Sequence, residues 1–294
     1  MSLIKGIYAA TLSVINENLS LNIDKTIKHA ENIIDYGCHG VVFFGSTGQS
    51  QLISLSEKIQ LINELPKSKH REKFIIGTGS NSLLDIISLM RISMTLGFNK
   101  FLIMPPAYYK YQDSDVINFY SKIIAELNEC KIILYNFEKL CGYKFSIKCI
   151  KNLVSKFPNQ IIGVKDSSYN LYENLNIENF SILPGSESKL IKGLKLGCTG
   201  IITATCNVTA NLSRKVFDDY NLGKENNLNE LLCDVRNEFE NYNLISALHS
   251  YFSIKDQIYQ NLIPPLGLLN SIDNERLINN LNNMKFSTNN LMVA

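Results

Sequence analysis

Four short segments carry residue types from which carbonyl chemistry can be built. Lys165 follows Ile161-Ile162-Gly163-Val164, an apolar run that places it at the end of a buried strand. A primary amine held there loses hydration, which favours the neutral form that attacks a carbonyl, so Lys165 is a candidate for Schiff-base formation. The same local pattern fits a strand-end lysine that turns out to solvent. Tyr135 closes another apolar run, where its phenol could pass a proton to or from a carbinolamine or aldol oxygen. A packed tyrosine with one satisfied hydroxyl has the same signature. Ser46-Thr47, between Gly45 and Gly48, offers two hydroxyls and closely approachable backbone N–H groups. That suits a carboxylate and is too short for a P-loop, and a plain turn reads the same way. Gly185-Ser186-Glu187-Ser188 opens a helical stretch and fits either an anion site or a simple cap.

The elements that must position these residues are eight short runs rich in Val, Ile and Phe, at 6–10, 41–44, 74–77, 101–104, 132–135, 161–164, 181–183 and 200–203. Each is followed by a longer amphipathic stretch, the rhythm of βα units. The first such stretch, 23–36, repeats Ile23, Ile27, Ala30 and Ile34 at helical spacing, with Asn22 to cap it and Gly37 behind it. Others are expected at 56–65, closed by Pro66, then 83–96, 115–127, 147–157, 187–196 and 212–220. Eight successive units suit a closed (β/α)8 TIM barrel, whereas a doubly wound sheet would carry a glycine-rich phosphate turn after its first strand. Residues 11–18 contain no glycine. After Tyr220 only helices are expected, at 227–248, 250–262 and 274–283, with Pro264-Pro265 as a breaker. The expected organisation is an α/β barrel over 1–222 and a C-terminal helical extension over 223–294 packed on it as one structural unit. In such a barrel function gathers at the C-terminal ends of the strands, which makes the segments 45–50, 105–109, 135–136 and 165–168 one constellation.

Composition narrows the function. Of 294 residues 45% are hydrophobic, 10% aromatic and 19% charged, which excludes a disordered, collagen-like or coiled-coil chain. The net charge is only +2 and the lysines are scattered, so no nucleic-acid footprint is present. Met-Ser-Leu-Ile-Lys-Gly has no apolar stretch behind its charge, and no run approaches the ~20 residues that span a bilayer. A cytoplasmic protein with a small-molecule partner is expected, without nucleic acid or membrane. The seven cysteines are odd in number and form no C-x-x-C pair, which predicts reduced, mostly buried thiols. His29, His39, His70 and His249 lack metal-ligand spacing and receive no catalytic role. Neither a metal nor a dissociable cofactor is expected.

Taken together, Gly45-Ser46-Thr47-Gly48, Tyr135-Asn136, Gly163-Val164-Lys165-Asp166 and Gly200-Ile201-Ile202 resemble, in order and separation, the dihydrodipicolinate synthase/N-acetylneuraminate lyase family of class I aldolases. The resemblance runs over nearly the whole chain and is weakest in the last ~70 residues. It implies a pyruvate-dependent carbon–carbon lyase in which Lys165 forms the imine with pyruvate, Tyr135 relays protons and Ser46 supplies the relay hydroxyl. Thr47 then holds the pyruvate carboxylate and the backbone of Ile202 faces the bound pyruvate. Tyr109 matches a tyrosine lent across a dimer interface, which implies a homo-oligomer, commonly a dimer of dimers. Departures concern the second substrate. Where the family pattern is Tyr-Asn-x-Pro this chain has Glu138, and where the synthases carry an arginine for the carboxylate of the aldehyde it has Leu140. Losing that bidentate fork costs about 2–5 kcal/mol in a desolvated site, and neighbouring Lys139 is a point charge of different reach. Relatives that cleave 2-keto-3-deoxy sugar acids lack the arginine and often show Pro-x-Tyr-Tyr, as in Pro106-Ala107-Tyr108-Tyr109. The sugar-acid reading is therefore slightly ahead of 4-hydroxy-tetrahydrodipicolinate synthase. A non-catalytic barrel that binds a small 2-oxo acid, and a phosphate-binding barrel using 185–188, stay open.

Overall fold

A computed structural model describes residues 3–287. Met1-Ser2 and residues 288–294, which belong to the readings of the N-terminus and of the C-terminal extension, lie outside them. Eight strands form: β1 Gly6–Ala10, β2 Gly40–Phe43, β3 Phe74–Gly77, β4 Lys100–Ile103, β5 Lys131–Asn136, β6 Ile161–Asp166, β7 Ser181–Pro184 and β8 Gly200–Thr203. They coincide with the apolar runs to within two residues, because a parallel strand covered on both faces must be apolar almost throughout. Every ladder is parallel, in the order β7-β6-β5-β4-β3-β2-β1-β8. At the ends of that order Thr199 N–H donates to Ile182 O at 3.0 Å, so the sheet is a nearly closed barrel. Where β1 meets β8, Gly6 pairs with Gly200, and a Cβ on Gly200 would lie 1.9 Å from the Gly6 carbonyl oxygen. Only glycine admits that approach.

Strand alternation divides the core. Ala10, Val42, Ile75, Leu102, Ile133, Tyr135, Leu183 and Ile202 fill the barrel. Their neighbours, among them Val41, Phe43, Ile76, Phe101, Leu134, Val164 and Ile201, form the larger layer under the helices.

The crossover helices are α1 Ile23–Asp35, α2 Leu55–Glu64, α3 Leu83–Thr95, α4 Asp113–Glu126, α5 Glu138–Cys141, α6 Ile147–Lys156, α7 Leu190–Lys195 and α8 Cys206–Asn221. Asn22, Ser82 and Ser146 cap α1, α3 and α6, and Ser54 with Glu57 forms a capping box on α2. Each cap contributes about 1 kcal/mol. Two expectations fail beyond α8, which itself starts at Cys206 rather than 212. The single helix expected at 227–248 is two, α9 Asn229–Glu240 and α10 Leu244–Ser253, because Asn243 leaves the helix and its Oδ1 accepts from Ile245 and Ser246 N–H. The stretch 250–262 is helical only to Ser253, and Asp256 then caps a short 3-10 turn, Gln257–Gln260. A final helix, α11, spans Ser271–Asn283. α9 packs on the turn after β7, and α10 on the turn after β2, so both lie over the C-terminal mouth of the barrel. All seven cysteines are free and all but Cys233 are buried. Among the described residues no helix is long and apolar enough to cross a membrane.

Candidate active site

At the mouth, β5 and β6 run in register with Tyr135 beside Lys165 and Asn136 beside Asp166. Alternation turns the first pair into the barrel and the second toward the helices. On the outer side the amide of Asn136 donates to Asp166 Oδ1 and to Asn170 Oδ1, each at 2.8 Å, and its Oδ1 accepts from Phe145 N–H. Asp166 Oδ2 accepts from Leu171 and Tyr172 N–H at 2.9 and 3.0 Å. The carboxylate nearest in sequence to Lys165 is thus consumed on the other face. On the inner side Lys165 is 3% exposed, and its Nζ stands 4.2 Å from the centroid of the Tyr135 ring.

The third group arrives on the 3-10 turn Ser46–Gly48 after β2. Ser46 Oγ and the Tyr135 hydroxyl share a hydrogen bond of 3.1 Å. The turn is held from both ends of the chain. Ser13 Oγ donates to Gly48 O at 2.7 Å, while Gln49, at φ +54°, accepts from Ile263 N–H at 2.9 Å and points its amide at His249 Nε2. Two cavities flank the Ser46–Tyr135 bond. One, of about 240 Å³, has Ser46, Thr47, Tyr135 and Lys165 in its wall. The other, of about 520 Å³, is largely apolar, with Leu52, Met104, Leu140 and Ile245 among its lining.

Four of the six residues singled out in the sequence therefore meet at one cavity. Tyr109 does not: it is 69% exposed and stacks edge-on against Tyr108. The side chain of Ile202 lies in the inner core below, and Ala204 is the residue of that segment that reaches the cavity. Glu187, in the segment considered for an anion, is itself fully buried and accepts from Thr203 and Thr209 hydroxyls. Sequence reading missed Arg236 and Glu240 of α9, which complete the far wall. The signal was there: Leu232, Val235, Arg236 and Phe239 form one buried stripe with an arginine in it. Among the described residues no cluster of His, Cys, Asp and Glu is arranged to hold a metal ion.

Two buried histidines tie the C-terminal segments to this mouth. His29 Nε2 meets Asn207 Oδ1 at 2.9 Å, and its Nδ1 meets the Tyr259 hydroxyl at 2.8 Å. Asn207 is oriented by its amide donating to Ala10 O and Ala204 O, so Oδ1 faces the ring and His29 carries its proton on Nε2. His249 Nδ1–H donates to Tyr259 O at 2.9 Å, which leaves Nε2 as the acceptor facing Gln49. Burial pushes both rings down to about 4. An unfolded histidine takes its proton near pH 6.5, so both contribute stability that is complete above that value and lost as the pH falls toward 4, up to roughly 3 kcal/mol each. Urea unfolding should show the free energy falling through that window, and falling less in His249→Gln. A pH-independent free energy from 7 to 4.5 would contradict this.

A family profile described as the dihydrodipicolinate synthetase family matches residues 3–281. The chain is 27% identical over 82% of its length, and 90% of the relative's, to a 2-dehydro-3-deoxy-D-gluconate/2-dehydro-3-deoxy-phosphogluconate aldolase of Picrophilus torridus. It is 30% identical, over 68% of its length and 70% of the relative's, to a 4-hydroxy-tetrahydrodipicolinate synthase of Listeria innocua. Its fold matches that of a prophage protein of the dihydrodipicolinic acid synthase family from E. coli K12, solved in complex with pyruvate, with a TM-score of 0.87 at 19% identity, covering 97% of this chain and all of that one. The profile covers the barrel and the helices over its mouth alike, and the chain belongs to the dihydrodipicolinate synthetase family of lyases.

Proposed function

We propose that this chain is a pyruvate-dependent Schiff-base carbon–carbon lyase whose second substrate is a hydroxyaldehyde, so that a 2-keto-3-deoxy sugar acid is made or cleaved. The observation that carries the reading is the one wall that gathers Lys165, Tyr135, Ser46 and Thr47, amine against phenol ring and phenol bonded to serine. The aldolase name of the Picrophilus relative and the pyruvate in the E. coli structure support it. In the condensation direction the Lys165 amine adds to C2 of pyruvate, and the carbinolamine loses water to give an iminium. Loss of a C3 proton gives the enamine, whose C3 adds to the aldehyde carbon, and water then releases the product. Cleavage is the reverse. Tyr135 carries protons to and from the changing oxygens and Ser46 passes them on, while Thr47 and the backbone of Ile202 fix the pyruvate half.

Leu140 supports a neutral second substrate. It is 44% exposed and lines the apolar cavity, so nothing at that position grips a semialdehyde carboxylate. Tyr108 and Tyr109, 90% and 69% exposed as an adjacent pair, support a homo-oligomer, a dimer of dimers in which Tyr109 serves a neighbour.

Incubation with 2-keto-3-deoxygluconate should release pyruvate, read with lactate dehydrogenase, and Tyr135→Phe should lower kcat about 10²–10⁴-fold. Turnover of aspartate semialdehyde with no release from any 2-keto-3-deoxy acid would instead establish the synthase. Sedimentation at micromolar concentration should give a tetramer. A fully active monomer would contradict the role of Tyr109.

A further inference from the structure

The turn that carries Ser46 and Thr47 is flanked by two side-chain-bearing residues in the left-handed region, Phe44 at φ +52° before it and Gln49 at φ +54° behind it. Glycine would adopt that conformation without strain, so a glutamine at position 49 has to be explained by what its side chain does. Gln49 is 2% exposed and both ends of its amide are engaged. A backbone N–H can only donate, so Ile263 N–H fixes Oε1 as the atom it meets at 2.9 Å. The amide nitrogen then faces His249 Nε2 at 3.5 Å, which presents a lone pair because Nδ1–H donates to Tyr259 O. One side chain thus ties the turn to α10 and to the segment after the 3-10 turn, 200 and 214 residues away. On its other side the turn is held by Ser13 Oγ, which donates to Gly48 O, and a Cβ on Gly48 would lie 2.9 Å from Thr11 O. Its own backbone bonds, Gly48 N–H to Gly45 O and Gln49 N–H to Ser46 O, shape the turn without placing it on the barrel.

We propose that Gln49 is a positioning residue for the lyase chemistry: by holding Ile263 N–H and His249 at once it sets the place of the Ser46–Gly48 turn, and so keeps Ser46 on the Tyr135 hydroxyl and Thr47 in the wall of the Lys165 cavity. The proposal rests on the lyase reading above and adds what holds its geometry. Gln49 lies outside the wall of that cavity, so it acts through Ser46 and Thr47. A displacement of such groups by about 1 Å is enough to cost about 10²-fold in rate. The chemistry of the contact also fixes which replacements fail. Leucine fills a similar space and makes neither bond. Glutamate still accepts from Ile263 N–H, but its second oxygen meets the lone pair of His249 unless the ring takes up a proton. Of titratable groups that ring faces Tyr259, edge-on at 6.1 Å, and His29 of α1, and among the described residues it bonds nothing from α9 or α11.

The test follows deuterium uptake at the pyruvate methyl group in D2O against pyruvate concentration, which gives a rate and a KM for the steps up to the enamine with no aldehyde present. Gln49→Leu should lower the rate by about 10²-fold, through Ser46, and raise the KM for pyruvate, through Thr47. A merely structural role would reduce the folded fraction, which lowers the apparent rate and leaves KM where it was. Gln49→Glu should lose uptake as the pH is raised from about 6 to 9 and His249 gives up its proton, where the wild type does not, and adding His249→Gln should abolish that loss by supplying a neutral donor. The wild-type rate and KM in Gln49→Leu would overturn the proposal while leaving the lyase reading intact. Should Gln49→Leu not fold, a pH profile of Gln49→Glu parallel to that of the wild type would overturn it instead. Absence of deuterium uptake in the wild type would remove the lyase reading itself, and the role of Gln49 with it.

Discussion

Everything at the mouth of this barrel depends on keeping an amine buried without giving it a carboxylate. Lys165 and Asp166 are consecutive, and only the two-residue period of a strand separates them, one to each face. Had Asp166 shared the inner face, its carboxylate would have engaged the lysine amine directly. Instead Asn136 and the N–H groups of Leu171 and Tyr172 take up the carboxylate on the outer side. Of the carboxylates on the far side, Glu240 accepts from Arg236 and the buried Glu187 accepts from the Thr203 and Thr209 hydroxyls. What Lys165 faces is the ring of Tyr135.

That outer network also aligns the inner one. Because Asn136 sits in register with Asp166, the bond between them locks β5 against β6 one residue beyond the pair Tyr135 and Lys165. The third group needs a separate anchor, since Ser46 rides on a turn rather than on a strand. Its anchors are remote in sequence: Ser13 on the first loop, and His249 and Ile263 through Gln49. The C-terminal helices are therefore part of the site's frame, and protonating His249 would set a donor against the Gln49 amide.

The barrel was legible in the sequence because strands covered on both faces must be apolar, which leaves eight separate runs of Val, Ile and Phe. Helix ends were nearly right where a cap or a glycine marked them, as at Asn22. The break between α9 and α10 was not, because neither glycine nor proline stands at Tyr242-Asn243 and an asparagine cap looks like any surface asparagine. That Lys165, Tyr135 and Ser46 would lie close together was readable from their places at or just beyond strand ends. Arg236 was not, for the opposite reason: it reaches the cavity from a helix, and only its place on a buried stripe set it apart. Gln49 and His249 form a contact across 200 residues, which local pattern cannot carry.

The central claim is that Lys165 is the nucleophile, and trapping reports on it most directly. The protein is treated with borohydride in the presence of pyruvate, digested, and the peptides weighed. The account expects the mass of a reduced pyruvyl adduct on the peptide containing Lys165, and on no other lysine. A folded protein with no adduct there, or with adducts spread over exposed lysines only, would contradict it.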